Sequence, residues 1–101
     1  MAENFDVAVI GAGPGGYVAA LEAARRGARV ALVEKDRPGG TCLNRGCIPS
    51  QAFLAAAELM HDMRHRAGEM GIWAGEVSPD WTTTLKRKQK IVLKQTRGLE
   101  V

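Results

Sequence analysis

The chain has 101 residues, of which 46% are hydrophobic and 25% charged, with a formal net charge of +3 and two cysteines. That length is under one average domain, and no apolar run approaches the roughly 20 residues of a membrane span. Only Met1 to Asn4 precede the first apolar run, so no secretory or organelle signal fits, and a soluble, cytoplasmic protein is expected.

Phe5 to Ile10 opens the chain, with Val7-Ala8-Val9-Ile10 as the short unbroken apolar run expected of a parallel strand buried on both faces. Gly11-Ala12-Gly13-Pro14-Gly15-Gly16 follows. Alone, GxGxxG is a weak signal in a chain with 12 glycines, but here it stands between a strand and a helix. Pro14 suits the first helical position, Tyr17 through Arg26 is rich in alanine and leucine, and Gly27 can end the helix. Arg29 to Glu34 then reads as a second buried strand, completing a right-handed strand, helix, strand unit.

In such a unit Gly11 permits the tight turn, Gly13 lets the backbone approach a pyrophosphate, and Gly16 lets helix and strand pack closely. The phosphates sit at the helix N-terminus, where free N–H groups and the dipole favour negative charge. Glu34, eighteen residues past Gly16, is placed to hydrogen-bond a ribose hydroxyl and to repel a 2′-phosphate. The plainer alternative is a glycine turn in an unrelated α/β protein, with Glu34 a solvated strand end.

The next signal is Gly40-Thr41-Cys42-Leu43-Asn44-Arg45-Gly46-Cys47-Ile48-Pro49-Ser50. On a regular helix cysteines at i and i+5 have α-carbons roughly 8 to 9 Å apart, beyond the roughly 4.4 to 6.8 Å that a disulfide tolerates. If they pair, the segment is distorted, and Asn44 and Gly46 are the residues expected to enter left-handed conformation. Pro49 fits the first turn of a following helix, whose positive end favours a nucleophilic thiolate. A nucleotide fingerprint cannot choose between NAD and FAD. The cysteine pair beside it does, pointing to flavin-dependent disulfide chemistry. Cys42-x4-Cys47-x13-His61-x3-His65 also comes close to a Cys2His2 zinc spacing. That reading is set aside, because Gly46 to Pro49 leads straight into a helix where a zinc finger needs a hairpin, and no metal site is expected.

A helix from Pro49 to about Ala67 places Phe53, Ala57, Met60 and Met63 on one core-facing stripe, leaving His61 and His65 at the surface. Gly68 and Gly71 break it, and Ile72 to Val77 reads as a short extended segment. Ser78-Pro79-Asp80 starts a last helix, Trp81 to about Arg97, with Trp81, Leu85, Lys88, Val92 and Leu99 as its stripe. Its cations Lys86, Arg87, Lys88, Lys90, Lys94 and Arg97 suggest nucleic acid. A solvated helix face is the better reading, because no stacking aromatics interleave the charges.

The fingerprint, the Gly40 to Ser50 stretch and the chain between them resemble the N-terminal part of the FAD domain of the pyridine nucleotide-disulfide oxidoreductases, closely over the first half of the chain. Leu43 and Ile48 lean towards the branch that oxidises dihydrolipoamide, since glutathione and mercuric reductases typically carry Val at one of these positions. The resemblance implies an α/β fold: a Rossmann-like FAD-binding βαβ unit with following helices, an incomplete doubly wound domain, in an N-terminal fragment (residues 1–101) of an enzyme roughly four times longer. It implies a redox-active Cys42–Cys47 disulfide, with Cys42 the interchange thiol and Cys47 the thiol against the flavin. Gly11, Gly13, Gly16 and Glu34 would bind the ADP half of FAD, and Lys35, Gly40 and Thr41 would line the rest of its path. Gln51 stands where the family usually has a lysine beside the flavin, which implies a lowered flavin potential. NAD would be the electron acceptor, dihydrolipoamide on a lipoyl domain of a 2-oxo acid dehydrogenase complex the partner, and a homodimer the full-length state. A freestanding small protein that binds a partner chain or a nucleotide is the runner-up.

Overall fold

In the computed structural model, which describes residues 2–100, strand β1 (Val7–Ile10) leads through helix α1 (Pro14–Arg25) to strand β2 (Val30–Val33). The strands pair in parallel, from Val7 opposite Val30 to Ile10 opposite Val33. The Gly11 N–H extends this ladder to the Val33 carbonyl at 2.7 Å. Pro14 fills a first-turn position of α1, where its missing N–H has no intrahelical partner to lose. The helix stops at its other end as Gly27 takes φ 95°.

The apolar strands are not buried on both faces as their sequence predicts. Ile10 is 89% exposed and Val33 55% exposed. Among the described residues the sheet has two strands, and α1 is the helix packed most closely on it, so the surfaces that a doubly wound domain covers stay open.

Beyond β2 the chain is helical: α2 (Gly40–Arg45), α3 (Cys47–His65), a 3-10 turn at Ala67–Met70, and α4 (Trp81–Glu100). α3 packs along α4, and α2 packs against both. Leu43, Ala52 and Val92, one from each helix, are buried in this seam. Phe53 stacks on Trp81 with ring centroids 5.5 Å apart, and the Arg87 guanidinium donates to the Ala52 carbonyl at 3.3 Å. Thr96, absent from the predicted stripe, is also buried, and its hydroxyl donates within the helix to the Val92 and Leu93 carbonyls. On α3 the inward residues are Phe53, Ala56, Met60 and Met63, while Ala57 is exposed.

Two boundaries differ from the sequence reading. Ile72 to Val77 is not a strand, because no neighbouring strand pairs with it; the Arg64 guanidinium instead holds the Val77 carbonyl at 2.6 and 3.1 Å. α4 continues three residues past Arg97 to Glu100. Its start is as expected. The Asp80 carboxylate accepts from the Thr83 hydroxyl at 2.6 Å and from the Thr83 N–H at 3.4 Å, which holds its carboxyl below the ordinary aspartate range. The molecule is long and thin, 67 × 26 × 18 Å, with a radius of gyration of 19.9 Å. A compact domain of about 100 residues has about 13 Å.

Candidate active site

The turn after β1 brings the first set of predicted residues together. Gly11 adopts φ 103°, and Gly16, at the start of α1, lies so close behind it that a Cβ there would overlap the Gly11 carbonyl oxygen. Gly16 therefore serves close approach between the helix and the turn, with the Val9 side chain beyond. Gly13 is the N-cap of α1 and has no side-chain cap, leaving first-turn N–H groups free to meet an anion. The Glu34 carboxylate reaches back across this turn, and the Ala12 N–H donates to its Oε1 at a long 3.4 Å. The carboxylate thus stands at the turn with acceptor capacity to spare for a hydroxyl.

A second glycine turn meets the first. The Gly39 N–H donates to the Ala12 carbonyl at 2.7 Å, and a Cβ on Gly40 would come within 2.8 Å of the Gly13 α-carbon. Gly40, at φ 62°, is thus needed both for its conformation and for this backbone-on-backbone approach. Gly39 caps α2 without a side-chain hydrogen bond, as Gly13 does α1. Both helix starts therefore lack a side-chain cap where the two turns meet.

The cysteines follow from the second turn. Cys42 lies in α2 and Cys47 is the first residue of α3, and the two form a disulfide with α-carbons 4.6 Å apart. The distortion that their spacing demands is supplied by Gly46 alone, at φ −130° and ψ −109°. Neither it nor Asn44 is left-handed, and no residue other than glycine has positive φ among the described residues. A Cβ on Gly46 would sit 3.0 Å from the Thr41 carbonyl oxygen, so the same glycine lets the helices abut. Cys47 is exposed and Cys42 half-buried.

Thr41 is exposed in the first turn of α2. Lys35 and Gln51 are also exposed, and neither makes an ion pair or side-chain hydrogen bond among the described residues. The structure therefore gathers Gly11, Gly13, Gly16, Glu34, Gly40 and the cysteine pair, and leaves Lys35 and Gln51 outside that network. Sequence reasoning missed two local ties: Arg45 pairs with Asp36 at 3.1 Å, and the Asn44 amide binds the carbonyls of Pro38 and Gly40. The second was legible as an Asn one helical turn after Gly40. His61 and His65 lie at the surface with ring centroids 4.7 Å apart, remote in role from cysteines already bonded to each other. No cluster of three or more His, Cys, Asp or Glu side chains fit to hold a metal occurs among the described residues.

A parallel βαβ unit whose glycine turn meets the start of a disulfide-bearing helix is the architecture expected of a nucleotide-dependent disulfide oxidoreductase. The sequence model of the pyridine nucleotide-disulphide oxidoreductase family matches residues 5–101, and the chain belongs to that family. It is similar to the dihydrolipoyl dehydrogenase of Cupriavidus necator, 49% identical over 109 aligned positions that cover 99% of this chain and 23% of the relative. The dihydrolipoyl dehydrogenase of Chlamydia muridarum is 52% identical, covering 98% of this chain and 21% of the relative. That of Bacillus subtilis is 44% identical with the same two coverages. The likeness runs through the α3–α4 region as well as the first half, further than the motifs alone carry it. The chain spans about a fifth of the length of these relatives.

Proposed function

We propose that the chain is the N-terminal portion of the FAD-binding domain of a dihydrolipoyl dehydrogenase, which oxidises dihydrolipoamide and reduces NAD. The observation that carries this reading is the contact between the two uncapped glycine turns, with the disulfide joining the helix that leaves the second to α3. At Gly40 a Cβ would intrude on the Gly13 backbone, so the two turns meet closely, which fits a site for the pyrophosphate of FAD. Gly11 and Gly16 shape that turn, Glu34 receives the adenosine ribose, and Lys35, Thr41 and Gln51 line the remaining path. When bound, FAD supplies a two-electron acceptor between the cysteine pair and NAD.

The residues of this chain supply thiol exchange. One thiolate of dihydrolipoamide attacks the Cys42 sulfur, the Cys42–Cys47 bond breaks, and Cys47 leaves as a thiolate stabilised by the start of α3. The second substrate thiol then displaces Cys42 and closes the oxidised product. The substrate loses two electrons, and the pair is left as a dithiol. Cys47, at the exposed start of α3, is the sulfur assigned to lie against the flavin. A homodimer, and docking to a lipoyl domain of a 2-oxo acid dehydrogenase complex, belong to this proposal.

A chimera tests it directly. Residues 1–101 replace the matching segment of the Cupriavidus necator relative, and dihydrolipoamide-dependent reduction of NAD is followed. Turnover that disappears in Cys42→Ser is expected; a chimera that folds and retains flavin yet does not turn over contradicts the proposal. In the same protein Gln51→Lys is expected to raise the flavin potential, because a cation stabilises charge on the reduced ring where an amide does not. An unchanged potential removes that role from Gln51.

A further inference from the structure

Disulfide chemistry leaves His61 and His65 without a role. Both lie in the last turns of α3, both are exposed, and residues four apart on a helix share one face. Their ring centroids are 4.7 Å apart, with the ring planes tilted by 43°. Neither ring makes a side-chain hydrogen bond or an ion pair among the described residues, so no protein group there competes for its nitrogens.

That separation suits a shared metal ion. An imidazole nitrogen binds a first-row metal at about 2.0 to 2.1 Å, which puts the metal about 3.2 Å from the ring centroid. Two rings bound at about 90 to 109° then have centroids about 4.5 to 5.2 Å apart, the range in which the observed pair falls. The charges nearby also favour a cation. Glu58, one turn before His61, is exposed and joins none of the ion pairs of the described residues, and it borders an open hollow of about 560 Å³ with Ala57, His61, Asp62 and Arg66. The two neighbouring guanidiniums are engaged elsewhere: Arg66 on the Asp62 carboxylate at 3.2 Å, and Arg64 on the Val77 carbonyl.

We propose that His61 and His65 form a two-imidazole chelate for a first-row transition-metal dication on the exposed face of α3. Paired nitrogen donors select copper, nickel or zinc over magnesium and calcium, which take oxygen ligands, and copper binds most tightly of the series. The cysteines take no part, because they are bonded to each other. Two protein ligands leave the other coordination positions to water, so the metal is exchangeable. Its bridge across one turn ties down the end of α3.

The test uses the flavin-loaded chimera described above, without an affinity tag and with its cysteines oxidised so that no thiolate competes for metal. Cu(II) is titrated in and followed by electron paramagnetic resonance, and turnover is not read, so this inference and the proposed function fail separately. A site with two nitrogen ligands is expected. His61→Ala and His65→Ala should each weaken it about hundredfold, the loss of one arm of a chelate. Moving the second histidine to the next position, His65→Ala with Arg66→His, should weaken it as much, because residues five apart leave the shared face. Retained flavin absorbance shows that each variant is folded. If the full graft does not fold, residues 58–66 alone are grafted into the matching helix of the relative and the same titration decides. Unchanged copper affinity in either single variant, or full affinity in the shifted one, overturns the proposal.

Discussion

β1, α1 and β2 are joined by main-chain hydrogen bonds and glycine contacts and leave large apolar side chains such as Ile10 in solvent, whereas α2, α3 and α4 are joined by buried side chains, an aromatic stack and a disulfide. The first region is shaped to be approached, by an anion at its glycine turn and by more protein on its sheet. The candidate site lies where they touch, at Gly13 against Gly40 and at the hydrogen bond from Gly39 to Ala12. A helical bracket tied by buried side chains and the disulfide thus begins where the second turn meets the first.

Breaking each region separately should expose the contrast. Gly16→Val carries the largest expected effect: branched carbons forced onto the Gly11 carbonyl cost more than about 3 kcal/mol and destroy the cradle. Urea unfolding and loss of flavin retention in the chimera check this. Leu43→Ala, which empties the buried position of α2, is expected to cost about 2.5 kcal/mol. Hydrogen exchange should then rise across α2, α3 and α4 while the β1–β2 ladder keeps its protection; equal loss in both regions would show that they are one cooperative unit.

The smallest effect is a pH dependence at the start of α4. The Thr83 hydroxyl, and after it the Thr83 N–H, hold the Asp80 carboxyl below its ordinary value. Its folded value is depressed, so its stabilising contribution is complete above the unfolded value of about 3.9 and is lost as pH falls through the folded one. Helicity followed by circular dichroism from pH 5 to pH 2 should fall less steeply in Asp80→Asn than in the unaltered chain.

The first region was the more legible in sequence, because its signals are local. Gly11, Pro14 and Gly27 punctuate the backbone, and Val7 to Ile10 is apolar without interruption. What could not be read there was exposure, since burial of a parallel strand depends on neighbours outside the strand. In the second region the spacing of the cysteines demands a break, and composition points to left-handed residues for it, but Gly46 achieves it at negative φ. Thr96 carries no apolar signal in sequence, yet it is buried because its hydroxyl finds acceptors inside its own helix. Ile72 to Val77 reads as extended by composition and remains irregular because a strand requires a partner. Of the site, the glycines, Glu34 and both cysteines are visible in sequence, while the Arg45–Asp36 ion pair has no motif to announce it.

If the cysteine pair and the glycine-turn cradle form one flavin-linked site, the visible spectrum of the chimera reports it. Cys42→Ser leaves Cys47 as a free thiol beside the flavin and is expected to display a long-wavelength thiolate-to-flavin band without added reductant. Cys47→Ser should display none. A band that survives in Cys47→Ser, or none in either variant of a flavin-bound protein, would contradict the account.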